Sequence, residues 1–122
     1  MPHIHLEYSD NLQNLQPEKV LKAINLCMFD GGYVSAASDV KSRAVAQSVY
    51  MVGLGEEPQA YLHAKVSLLS GRSNEMKQQI SQQILQVLQQ NLPAQTGLTV
   101  QVCVEIIEMP KESYSKAVIT AR

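Results

Sequence analysis

Apolar and polar residues alternate along four stretches of this chain, and between the members of each pair of stretches apolar residues recur every three or four positions. Ile4, Leu6 and Tyr8 interleave with His3, His5 and Glu7, which predicts a half-buried strand ending at the turn-forming Ser9-Asp10-Asn11. Pro17 and Glu18 then open a helix whose Val20, Leu21, Ile24, Cys27 and Met28 share one face, and Asp30-Gly31-Gly32 closes it. A second strand is predicted from about Val40 to Met51, where Val45, Val49 and Met51 have the parity of Lys41 and Arg43. The pattern then repeats. Leu62, Ala64, Val66 and Leu68 mark a third strand, Ser73 is a natural N-cap, and a helix is expected from about Asn74 to Asn91. Its apolar face is Met76, Ile80, Ile84, Val87 and Leu88, with glutamines filling the solvated faces. Pro93 stops that helix, and Leu98, Val100, Val102, Val104 and Ile106 alternate in a fourth strand.

Strand, helix, strand, twice over, predicts an α+β fold of tandem β-α-β units, about 1–57 and 58–122, within one domain spanning 1–122. Each unit needs a right-handed crossover between parallel strands. Joined, they form a four-stranded mixed sheet with both helices on one face. The other face carries His3, His5, Glu7, His63, Lys65, Ser67, Gln101 and Glu105, a polar set that water or another subunit can cover. Open edge strands and only two helices make self-association the expectation.

Composition removes whole classes of partner. A net charge of -1 with scattered Lys and Arg offers no track for nucleic acid and no basic patch for an anionic membrane. No apolar run is long enough for a membrane span and no secretory leader is visible, so the cytoplasm is the expected compartment. Cys27 and Cys103 lie far apart without CxxC spacing and read as two buried thiols. His3, His5 and His63 lack an acidic or Cys residue at ligand spacing, so no metal is expected.

The candidate chemistry begins at Pro2. Removal of Met1 ahead of a small residue exposes a secondary amine, which titrates near the α-amino reference of about 7.7 to 8.0. Such an amine is a usable general base once nearby cations or partial burial weaken its hold on a proton. Arg72, just before the second helix, is a candidate both for that effect and for holding a carboxylate bidentately; the alternative is that it stacks on the sheet or pairs with Glu75. Lys41 and Arg43 point to one face of their strand and can border one pocket, or can be solvated edge charges.

Two motifs carry a family resemblance. Gly71-Arg72-Ser73-Asn74-Glu75-Met76-Lys77 and Val102-Cys103-Val104-Glu105-Ile106-Ile107-Glu108-Met109 resemble 4-oxalocrotonate tautomerase. The opening Met1-Pro2-His3-Ile4-His5-Leu6-Glu7-Tyr8-Ser9-Asp10-Asn11-Leu12 resembles the 5-carboxymethyl-2-hydroxymuconate isomerase family, the longer, fused-unit members of the same tautomerase superfamily. The resemblance implies a homotrimer and a cofactor-independent isomerase of aromatic catabolism, acting on a small unsaturated hydroxy or oxo (di)carboxylic acid. It implies Pro2 as general acid and base, with Arg72, Lys41 and Arg43 binding carboxylates. Leu62 stands about where the second unit would have its proline, so one site per subunit is implied. Lys41 departs from an arginine in the family pattern, keeping the charge but losing the planar fork. That departure leaves an arylpyruvate-type keto-enol tautomerase, or a non-catalytic oligomeric binding module, as alternatives. The tail from Met109 to Arg122 is expected to act as a docking arm on a neighbouring subunit through Tyr114, Val118 and Ile119.

Overall fold

Six elements account for the periodic stretches. A computed structural model describes residues 1–121. They comprise β1 (His3–Ser9), α1 (Pro17–Asp30), β2 (Lys41–Gln47), β3 (Gln59–Leu69), α2 (Asn74–Gln90) and β4 (Thr99–Met109). Short 3-10 turns at Ala37–Asp39 and Lys111–Ser113 precede β2 and follow β4. The sheet order is β2-β1-β3-β4. β1 pairs parallel with β2, β3 pairs parallel with β4, and the two units meet antiparallel through β1 and β3. The four-stranded mixed sheet with two helices is therefore the one the patterning predicts.

The core lies between the sheet and the helices. Ile4 and Leu6 of β1 and Leu62, Ala64, Val66 and Leu68 of β3 meet Val20, Ile24 and Met28 of α1 and Ile80, Ile84 and Leu88 of α2. Each helix buries one residue every fourth position, the stripe that a period of about 3.6 residues places on one face. The helices start by different devices. Pro17 supplies the first turn of α1 without any side-chain cap, whereas the Ser73 hydroxyl accepts from the Met76 backbone N–H at 3.1 Å.

Three expectations need correction. β2 ends at Gln47 rather than near Met51, leaving Val49 and Met51 exposed. The reason is its only neighbour: β1 stops at Ser9, whose register partner is Gln47, and beyond that pair the edge strand has nothing to bond. Cys103 is exposed and Cys27 half-buried, so neither is a core thiol; the odd positions of β4 face away from the helices. Met76 is exposed in the first turn of α2 and does not join the buried stripe.

Candidate active site

Strand direction gathers the candidate residues at one end of the sheet. Because β2 runs parallel to β1, Lys41 lies beside His3, and the Lys41 N–H donates to the Pro2 carbonyl at 3.1 Å. Because β3 runs antiparallel to β1, its exit lies at the same end, with Ser67 opposite His3. Gly71, at φ +116, then turns the chain toward α2 in a left-handed conformation that suits glycine, and a Cβ there would press on Lys111 Nζ at 3.0 Å. The turn delivers Arg72, whose guanidinium donates to the Tyr33 carbonyl at 3.0 Å. Arg72 makes this bond to the loop after α1, not one to Glu75, and the bond fixes the plane of the fork. Lys41 Nζ donates to the Asp39 carbonyl at 2.7 Å. Arg72 and Lys41 thus flank the start of β1, one from the β3 side and one from the β2 side.

Pro2 itself is fully buried. With Met1 in place its nitrogen is an amide, and the free ammonium belongs to Met1. That ammonium is pushed below its ordinary 8.0, first by burial and then by Arg72 and Lys41; Lys116 adds to the effect and Asp39 opposes it. Lys41 is likewise pushed below 10.5, by burial first and then by Lys116. His3 is pushed below 6.5 by burial, then by Lys41 and Arg43. The start of β1 is a positively charged corner.

Arg43 is placed differently from Lys41. Its guanidinium lies 2.9 Å from His3 Nδ1 and 3.4 Å from His5 Nε2 on the polar face, and it reaches the cavity beside Lys41 only through His3. That cavity, about 420 Å³, is bordered by His3, Asp39, Lys41, Tyr114 and Lys116. The tail forms one side of it: Tyr114 Oη lies 3.0 Å from this chain's own His3 Nε2, and Lys116 Nζ lies 3.7 Å from Asp39 Oδ1. Depressions of similar size, about 390 Å³ on the glutamine face of α2 and about 400 Å³ at the first turn of α1, hold no cluster of cations: the first is lined by glutamines and the second has Lys19 beside Glu18. His63 pairs with Glu105 at 2.8 Å, and among the described residues no group of three His, Cys, Asp or Glu side chains is arranged to hold a metal ion. Asp39, Tyr33 and Lys116 escaped the sequence reading. Their only local signal is a polar side chain in an irregular segment, which is common to most loops.

Comparisons with known proteins bear on the family and the fold. A family model described as 5-carboxymethyl-2-hydroxymuconate isomerase matches residues 2–122. A crystal structure of a 5-carboxymethyl-2-hydroxymuconate isomerase from Deinococcus radiodurans R1 is similar with a TM-score of 0.83 and 28% identity, covering 95% of this chain and 88% of that one. A 5-carboxymethyl-2-hydroxymuconate delta-isomerase superposes with a TM-score of 0.83 at 19% identity, covering 97% and 88%. A fused 4-OT solved as a symmetric trimer gives 0.68 at 16% identity, covering 94% and 91%. No curated protein matches by sequence. No helix among the described residues is long and apolar enough to cross a membrane. With the whole described fold and nearly the full sequence matched, the chain belongs to the 5-carboxymethyl-2-hydroxymuconate isomerase family and is an isomerase of the tautomerase fold.

Proposed function

We propose that this isomerase moves a proton within a small unsaturated hydroxy or oxo acid with one or more carboxylates, resembling 5-carboxymethyl-2-hydroxymuconate, using Pro2 as general base and then general acid. The observation that carries this reading is the gathering of Arg72, Lys41 and Lys116 around the start of β1. Removal of Met1 converts the buried amide nitrogen of Pro2 into a secondary amine in that corner. Burial and the same cations then hold its pKa below the ordinary α-amino range, so that the neutral, basic form is populated near neutral pH. The amine takes a proton from the substrate, becomes an ammonium, and returns the proton to a carbon further along the conjugated chain. Negative charge passes meanwhile to the carbonyl oxygen, where guanidinium and ammonium groups stabilise it. Arg72 and Lys41 hold carboxylates, and no external cofactor enters the scheme.

Only β1 offers such an amine. Ala60 and Leu62, at the equivalent entry to the second unit, are buried inside β3, so each subunit has one site. The open edges of β2 and β4 and the polar sheet face favour a homotrimer in the cytoplasm, and a relative of the same fold is a symmetric trimer. Lys41 in the place of an arginine supports a second reading, keto-enol tautomerisation of an arylpyruvate, because an ammonium demands less of carboxylate geometry than a fork does.

The test is a ketonisation assay on Met1-free protein, its mass verified intact. Pro2→Ala is expected to lower kcat by about 100-fold or more, the range of a lost general base. Equal rates in the two proteins would sink the base assignment. A higher kcat/KM on an arylpyruvate enol than on a hydroxymuconate would select the second reading.

A further inference from the structure

After β4 the chain turns at Pro110 and runs back across the start of β1, where Lys116 reaches the cavity beside Lys41. The Lys116 ammonium is poorly matched by what it touches. Its one carboxylate neighbour, Asp39 Oδ1, is 3.7 Å away, outside good hydrogen-bond distance, and its nearer contact is the Met1 thioether sulfur at 3.1 Å, a weak acceptor. Lys41, on the same cavity, gives its own bond to a backbone carbonyl, so two ammonium groups share one carboxylate. Lys41 and Lys116 border the same cavity, whereas Arg72 follows β3, on the other side of β1 from β2, and bonds to the Tyr33 carbonyl outside that lining. The Met1 side chain fills the place next to Lys116, and its removal frees both the Pro2 amine and the room for an anion.

We propose that Lys116 is a substrate-binding residue which, with Lys41, clamps one carboxylate of the substrate while Arg72 takes the other, so that the tail makes the site selective for dicarboxylates. This deepens the reading of Pro2 as the base and rests on it for the substrate's orientation. Lys116 sits close enough to add to the cost of charging Lys41 on the same cavity, and a bound carboxylate relieves that cost while accepting hydrogen bonds from both ammonium groups. An acid with a carboxylate at one end only would gain from one side of β1 and leave the other cationic side unmatched.

The probes are trans,trans-muconate and sorbate, which share a six-carbon diene and differ in having two carboxylates or one. Affinities of Met1-free protein are measured by calorimetric titration, a readout that needs no turnover. Wild type is expected to bind muconate more tightly than sorbate. Lys116→Ala is expected to weaken muconate about 10-fold, the loss of roughly one charge-assisted hydrogen bond, and sorbate less than about 2-fold. Lys116→Arg restores muconate binding, and Lys22→Ala, a cation removed from the outer face of α1, changes neither affinity. Equal losses for both acids would show a tail clasp rather than a carboxylate contact, and undiminished muconate binding would remove Lys116 from the site; either result overturns the proposal. Failure of the Pro2→Ala assay, by contrast, strikes the base assignment and leaves this titration standing.

Discussion

The two β-α-β units bury the same kind of stripe and end differently. In α1 the buried positions are Val20, Ile24 and Met28, and in α2 they are Ile80, Ile84 and Leu88, the same spacing over the same sheet. Strand length separates them: β1 and β2 have 7 residues each, β3 and β4 have 11 each. The first unit opens at a buried proline one residue from the start of the chain. The second is entered from a loop, and its contribution is the far end of its first strand, where Gly71 turns the chain to Arg72. Internal symmetry thus builds the core, while asymmetry at the strand ends builds the corner proposed as the site. One unit places Pro2 and Lys41 there, and the other places Arg72.

That contrast can be broken in order of effect. If the halves are equivalent in packing, Ile24→Ala and Ile84→Ala should cost similar stability, about 2 to 5 kcal/mol each, because both side chains are fully buried. Urea denaturation checks this, and a difference of more than about 2 kcal/mol between them would mean that one unit dominates the core. The helix starts should be unequal. Ser73→Ala removes a side-chain cap and should cost about 1 kcal/mol, whereas Gln16→Ala, at a start that has no side-chain cap, should be nearly neutral.

The smallest effect is electrostatic and belongs to the first unit. His3 has a folded pKa below 6.5, from burial first and then Lys41 and Arg43, so between its folded and unfolded values the unfolded chain binds more protons. Stability therefore rises with pH through this window, and is lost as pH falls from about 6.5 toward the folded value. His3→Asn should flatten that part of the profile of urea midpoint against pH. An unchanged slope would mean that His3 does not sense the cations beside it.

Much of this was readable from one chain. The alternation of Ile4 and Leu6 with His3 and His5, the four-residue spacing of Ile80, Ile84 and Leu88, and the Ser73 cap are local signals, and the elements formed where those signals lay. Pro2, Arg72 and Lys41 were legible as candidates because each residue type suits the chemistry. β2 was read too long because alternation through Val49 and Met51 says nothing about where its neighbour stops. Cys103 was misplaced because both helices cover the same face of the sheet, and the odd positions of β4 lie on the other.

The sequence by itself determined the elements, the units and the inventory of one latent amine and several cations. Periodicity, turn residues and caps act over a few residues, and a single chain displays them in full. Only the tertiary structure decided which cations gather at the start of β1. Strand order and direction bring residues 2, 41 and 72 to one end of the sheet, and the returning tail adds Lys116 to Asp39 across 77 positions of chain. Arg43, two residues from Lys41 and alike in charge, is instead held by His3 and His5. Such contacts depend on the register between strands and on what the core leaves room for, and neither is written in any short stretch of residues.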